Sequence, residues 1–427
     1  MIYKIYPRKS GRRGYRDLED RPISLLDAAE VNDTNAVTLF LNGGADANAV
    51  RKNGMTALMY AAVHNNTSTT QLLLEHGAQT ESTTIDSETA LMTAAEYGST
   101  AVVRLLLEHG ADINNTTPDG TTAFMYAAEN DHVDILQLLL DHGAPLNYAT
   151  KDGETSLIAA AANGSANAIR FLLTHGVPLN TTTKNGDTAL IAATASQNIE
   201  VIQLLLDHGA TINTANENEL TALMAAAANG NVNGAKILLA RGAAVNSTTA
   251  DGDTAFIYAA ENNHTEILQL LLDYGARIDY KTKDGETALM AALANGNTNA
   301  AQFLLDHGAD INDINTKGET ALMYYASKPA TVKFLLDRNA DVNIASKDCT
   351  TALMVHVAAG NVDAVKLLLD HGAHIYSTQA NGDTACTYAE KSGRTDIMQL
   401  LLNHKVLIQA ADTIERTNYK NSSLPHR

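Results

Sequence analysis

Hydrophobic positions along the chain recur in two short runs of helical spacing, separated by polar stretches too brief to be domain linkers. After Thr56, the residues Leu58, Ala61 and Ala62 fall at i, i+3 and i+4, and runs such as Ile135, Leu136, Leu138 and Leu139 share that periodicity. This pattern predicts a pair of amphipathic helices. The second run ends in His-Gly-Ala, as at His76-Gly77, His109-Gly110 and His142-Gly143, where glycine adopts the left-handed conformation that closes a helix. The polar stretch that follows, such as Asp112 to Gly120, predicts a turn or hairpin. Helices this short are unstable alone in water, so each pair must stack on its neighbours to bury its apolar faces.

The pair repeats. A Thr-Ala-(Leu/Phe/Cys) motif, with Ser156 in place of alanine once, begins at Thr56, Thr89, Thr122, Thr155, Thr188, Thr221, Thr254, Thr287, Thr320, Thr351 and Thr384. Nine of the ten intervals are 33 residues, and the one from Thr320 to Thr351 is 31. A degenerate twelfth unit precedes them from Ile23 to Asn48. A longer period lies on top: residues 118–176 match residues 250–308 at 40 of 59 positions, an offset of 132 or four units. The finger glycine two residues before each threonine is replaced at Ser87, Glu219 and Cys349, at nearly the same spacing. Both features point to duplication of a four-unit block.

The unit, read as DGTTAFMYAAENDHVDILQLLLDHGAPLN from Asp119 to Asn147, resembles the ankyrin repeat. The resemblance covers about residues 21 to 404. It implies an all-α solenoid of about twelve helix-turn-helix units with short hairpin fingers. It also implies a non-catalytic role in binding other proteins. One departure is systematic: the family's T-P-L-H becomes T-A-L-(Met/Ile), with Met59, Met92, Met125, Ile158, Ile191, Met224, Ile257, Met290, Met323 and Met354 in the histidine slot. Seven of the ten methionines sit there, and the expected role is adaptable core filler.

The expected organisation is a basic N-terminal arm over 1–20, the array over 21–409 and a C-terminal tail over 410–427. Terminal units act as caps, the last reading LLLNHKVL with Lys405 and Val406 where Gly-Ala is expected. The tenth unit shortens its inter-helix turn to Ser327-Lys328-Pro329, which predicts a local kink or a weaker joint. The arm holds Lys4, Arg8, Lys9, Arg12, Arg13 and Arg16 before its first acid, and reads equally as a solvated tail, a contact signal or a brace on the acidic array.

Composition narrows the function. The 427 residues carry 30 Lys+Arg against 48 Asp+Glu, a formal charge of −18, which disfavours nucleic acid and anionic membranes as partners. With the arm at +3, the rest carries −18 − 3 = −21, much of it in the acids before His-Gly (Glu75, Glu108, Asp141, Asp207) and at the finger tips. A basic protein partner is the expected match. Cys349 and Cys386 form no disulfide framework or zinc motif, which suits a reducing compartment. No signal-like apolar region or membrane span is found. The expected location is cytoplasmic or otherwise intracellular, with secretion into a host cell left open.

Histidine is the first suspect for chemistry, since 8 of 14 occupy one repeat position: His76, His109, His142, His175, His208, His307, His371 and His404. Stacked helices lie ~8–10 Å apart, too far for a ladder to share a metal whose Zn–N bonds are about 2.0 Å. The expected role is capping the helix C-terminus, for which Arg241 and Arg338 in the same slot also suit. No P-loop or H-E-x-x-H motif occurs, so no catalytic residue, cofactor or metal is expected. A partner surface is sought instead on the first helix, where position 60 points away from Leu58, Ala61 and Ala62. Tyr60, Tyr126, Tyr258, Tyr324 and Tyr388 occupy that slot, with Glu129 and Glu261 at i+3 from two of them. The ankyrin resemblance places this face in a concave groove, where the stripe would bind a basic segment; equally, the rings would only cover neighbouring alanines. Finger-tip Asp119, Asp152, Asp251 and Asp284 are a second candidate surface, although Asp before Gly is ordinary turn chemistry. The reading is a protein-interaction scaffold. Its alternatives are a secreted bacterial effector or host-range factor that captures a host protein, and a mechanical spacer without a groove ligand.

Overall fold

A threonine hydroxyl starts each first helix. In a computed structural model of the chain, which describes residues 24–324 and 329–406 apart from the side chain of Tyr324, nine of the eleven repeat threonines accept a hydrogen bond from the amide three residues on, at 3.2–3.3 Å. That bond satisfies one of the orphan N–H groups at a helix start. At Thr56 and Thr221 the methionine sulfur also accepts the threonine's own N–H, at 3.5 Å. The helices so started are short, as in Ala57–Val63, Ala123–Glu129 and Ala255–Glu261, and each is followed by a second helix such as Thr67–Glu75, Val133–Asp141 or Thr265–Asp273.

The chain divides into two compact units, Met1–Ala244 and Val245–Arg427. The first holds seven described helix pairs, from Leu25–Glu30 with Thr34–Asn42 to Ala222–Asn229 with Val232–Ala240. The second holds five, ending with Ala385–Lys391 and a helix over 395–406. Among the described residues there is no sheet, only isolated antiparallel bridges across fingers, such as Val50 with Thr56 and Lys281 with Thr287. The fold is therefore an all-α repeat solenoid. Its core is aliphatic: the Met/Ile slot is 0–4% exposed at every unit from Met59 to Met354, in agreement with the filler role.

Neighbouring repeats are tied in three places. The residue capping the second helix reaches back to the preceding first helix: Ser99 Oγ donates to the Ala62 carbonyl at 2.5 Å, Asn231 Nδ2 to that of Thr194 at 3.1 Å and Asn297 Nδ2 to that of Glu261 at 2.6 Å. The loop asparagine accepts from the next loop, as Asn48 does from Gln79 N–H at 2.7 Å and Asn343 from His374 N–H at 2.8 Å. Finger tips are joined by backbone: Lys151 N–H to the Asp119 carbonyl at 2.8 Å, Lys184 to Asp152 at 2.7 Å, Lys283 to Asp251 at 2.9 Å and Thr316 to Asp284 at 2.8 Å. This last contact explains the finger glycine. At Gly285 φ is +78°, and a Cβ would lie 2.6 Å from Thr316 N. Where Ser87 replaces glycine, also at positive φ, the residue at the donating position is Pro118, which has no N–H to donate.

The second helix ends as expected. His76, His109, His142, His175, His208, His307 and His371 each place Nδ1 2.7–2.8 Å from the carbonyl four residues back. A carbonyl only accepts, so Nδ1 carries the proton. Arg338 Nη1 makes the same bond to Phe334 at 3.0 Å. His404 differs: its helix continues through residue 406, where Lys405 and Val406 replace the helix-closing Gly-Ala. The N-terminal arm, the turn residues Ser327-Lys328 and the C-terminal tail lie outside the described residues.

Candidate functional site

The tyrosine slot does not face open solvent as periodicity implies. Six of the seven residues of Ala57–Val63 are buried, Tyr60 among them, and Tyr60 and Tyr126 are 9% and 5% exposed. Tyr258 and Tyr388 are half-buried, and the side chain of Tyr324 lies outside the described residues. The i, i+3, i+4 argument assigns one buried face to a helix, whereas a seven-residue helix set between two neighbouring first helices, its own second helix and the fingers is enclosed on most sides.

Tyr60, Tyr126 and Tyr388 are each tied to a finger. Arg51 donates to the Tyr60 hydroxyl at 3.0 Å, with its guanidinium 4.4 Å from the ring centroid, and also pairs with Glu30 at 2.9 Å and with Asp27. Burial works against the Asp27 charge, but hydrogen bonds from Ser24 and the Arg51 cation outweigh it and hold the carboxyl below its ordinary range. The Tyr126 hydroxyl donates to Glu88 at 2.9 Å, and the Tyr388 hydroxyl to Gln379 at 2.7 Å. Glu129 accepts from Asn163 Nδ2 at 3.1 Å.

Around Tyr258 the charges converge. Burial, then Asp253, Glu261 and Asp251, push its hydroxyl up to about 12. Asp253 is raised by burial and by the Asp251 and Glu286 carboxylates, while its amide donates to Thr249 Oγ at 3.0 Å. Glu261 is raised by burial and then by Asp253. A half-buried ring thus stands among carboxylates that repel one another, a setting that a cationic group would relieve.

Of the expected site residues, the structure therefore brings together Tyr258, Glu261 and Asp251, and adds Asp253 and Glu286, which the sequence reading passed over. The signal was present: an acid immediately precedes the repeat threonine at Glu88, Glu154 and Asp187 in the first unit and at Asp253, Glu286, Glu319 and Asp383 in the second. At the finger tips, Asp152, Asp251 and Asp284 are exposed and Asp119 is half-buried. Their carbonyls hold the next finger, and the Asp119 carboxylate is engaged within its own turn by Thr117 and by Thr121 Oγ at 3.2 Å. Among the described residues no group of three or more His, Cys, Asp or Glu side chains could hold a metal ion, and no helix is long and apolar enough to cross a membrane.

A family model described as ankyrin repeats (3 copies) matches overlapping stretches of the chain, at residues 25–117, 68–150, 114–183, 174–249, 213–282, 256–346 and 322–412. A search of curated proteins returned no match.

Proposed function

The chain belongs to the ankyrin-repeat family, and on that premise we propose that it is a non-catalytic protein-interaction scaffold whose second unit grips a basic segment of a partner around Tyr258. Ankyrin repeats are in general protein–protein interaction modules and not catalysts. One observation carries the finer reading: Asp253 and Glu261 flank Tyr258 with carboxyls held above their ordinary range by burial and by like charge. A lysine or arginine placed there gains attraction from several carboxylates at once, and the ring offers a rigid amphipathic face to its stem. Asp251 at the finger tip extends the acidic surface towards solvent. The other described tyrosines act first as finger supports.

Fluorescence anisotropy with a labelled Lys/Arg-rich peptide tests the reading. The full chain is expected to bind the peptide, with affinity falling steeply as salt is raised. The double variant Asp253→Asn, Glu261→Gln is expected to bind about tenfold more weakly, the scale of losing a partly desolvated charge contact. Equal binding by the variant, or equal binding of an acidic peptide, would overturn the assignment.

A further inference from the structure

In the second unit, the junction between the tenth and eleventh repeats departs from the pattern in several ways at once. The interval from Thr320 to Thr351 is the shortened one, 31 residues instead of 33. The hydroxyls of Thr320 and Thr351 are both buried and without a hydrogen-bond partner, whereas the nine other repeat threonines cap their helices. A buried hydroxyl left unpaired is a local loss of stability. Five residues after Thr351 lies His356, in a slot that is alanine at Ala259, Ala292 and Ala389 of the same unit and tyrosine at position 325 of the tenth repeat. It is 3% exposed, and its Nε2 lies 3.1 Å from the carbonyl of Leu322, in the preceding repeat's helix Ala321–Tyr324. Since a carbonyl only accepts, Nε2 carries a proton. An ionisable ring therefore bridges the joint from inside.

We propose that His356 makes this joint an acid-sensitive hinge: the two repeats stay docked while the ring is neutral and separate locally when it takes up a second proton. Helix Ala352–Ala358, which carries the ring, packs against Ala321–Tyr324, Val362–Asp370 and Ala385–Lys391. The ionisable side chains on those elements are Asp363, Lys366 and Asp370, all exposed, Glu390 and Lys391, also exposed, the half-buried thiol of Cys386, and Tyr388, whose hydroxyl is committed to Gln379; that of Tyr324 lies outside the described residues. The described influences on the ring are burial, which lowers its pKa from the ordinary 6.5, and the Leu322 carbonyl, which opposes this. No described carboxylate is placed to stabilise an imidazolium there. The neutral ring is favoured in the docked state, so the open state binds the proton more readily. Stability of the joint is then full above the ordinary imidazole value and falls as pH drops below it.

Native-state hydrogen exchange on the full chain, at about pH 7 and about pH 5 with intrinsic rates corrected, tests this. The opening constant of helix Ala352–Ala358 is expected to rise by ~3-fold to ~20-fold at the lower pH, while that of Ala255–Glu261 in the same unit stays within about twofold. The rise is expected to vanish in His356→Ala, which installs the residue found in this slot at Ala259, Ala292 and Ala389. It should vanish equally in His356→Gln, which keeps a neutral donor and decides the matter if the alanine variant does not fold. A rise that persists in the folded variants, that is shared equally by Ala255–Glu261, or that is absent from the unsubstituted chain would overturn the proposal.

Discussion

Tyr126 and Tyr258 stand at the same position of the duplicated block, 132 residues apart, within nearly identical helices, Ala-Phe-Met-Tyr-Ala-Ala-Glu and Ala-Phe-Ile-Tyr-Ala-Ala-Glu. Their surroundings diverge. The Tyr126 hydroxyl has a designated acceptor in Glu88, and Thr121, just before its helix cap, turns its hydroxyl to Asp119. In the second copy, Asp253 takes the place of that threonine, and Tyr258 is left among Asp251, Asp253 and Glu261 with its ionisation suppressed to about 12. Two residues beside a nearly identical helix thus separate a structural tyrosine from a charged surface: Asp253 in place of Thr121, and Leu220 in place of the acceptor Glu88. The helices hold the solenoid together through aliphatic contacts, so the residue before the cap is free to vary without loss of fold.

The largest expected effect tests that division of labour directly. Tyr126→Ala removes a buried ring and leaves Glu88 without its donor, at a cost of roughly 3 kcal/mol. Tyr258→Ala removes a ring that is only half-buried and admits water among the carboxylates, so a loss of about 1 kcal/mol is expected. Urea unfolding followed by circular dichroism reads both. Equal losses would erase the distinction between the two tyrosines.

A reciprocal exchange sharpens it further. Asp253→Thr is expected to weaken binding of a basic peptide about threefold and to move the Tyr258 ionisation from about 12 down towards its ordinary 10.0, followed by NMR of ring-labelled tyrosine. Thr121→Asp should install a second, weaker peptide site in the first unit, visible as a raised stoichiometry in calorimetry. If neither exchange alters binding, the residue before the cap does not control it.

Much of this was legible in the residues. The Thr register located the helix starts, because a threonine cap has a single job and repeats it at Thr56, Thr89 and Thr122. The histidine slot foretold the C-terminal caps for the same reason. The tyrosine slot was misjudged, since spacing within one helix says nothing of what neighbouring repeats lay over it. Asp253 and Glu286 were overlooked because an acid beside a cap looks like solvated surface until a ring and further carboxylates are brought next to it. His356 escaped notice because its burial depends on the preceding repeat, 34 residues away in sequence.

A smaller effect concerns pH. The carboxyl of Asp253 keeps its proton to higher pH in the fold than its ordinary 3.8, so the fold binds more protons than the unfolded chain across that interval. Its favourable contribution is complete below the ordinary value and is lost as pH rises through the folded value. Asp253→Asn, which cannot ionise, should therefore gain on the unsubstituted chain between about pH 4 and about pH 7, by on the order of 0.5 kcal/mol, and show no gain below that range. Stability curves of the two proteins, subtracted, give the sign. A gain that grows towards acid would mean that the Asp253 charge is favourably paired, contrary to the crowding of like charges around Tyr258.

The finest distinction is one oxygen atom. Tyr126→Phe deletes a hydroxyl that donates to Glu88 at 2.9 Å and leaves the half-buried carboxylate without that donor, so a loss of about 1 kcal/mol is expected. Tyr258→Phe deletes a half-buried hydroxyl set among carboxylates and beside Thr249, and a change within ~0.3 kcal/mol is expected because solvent replaces what is removed. The same substitution should leave peptide affinity within about twofold, since the ring face and the carboxylates remain. If Tyr258→Phe proved as costly as Tyr126→Phe, the second hydroxyl would also be a finger support, and the contrast between the two copies would rest on charge alone.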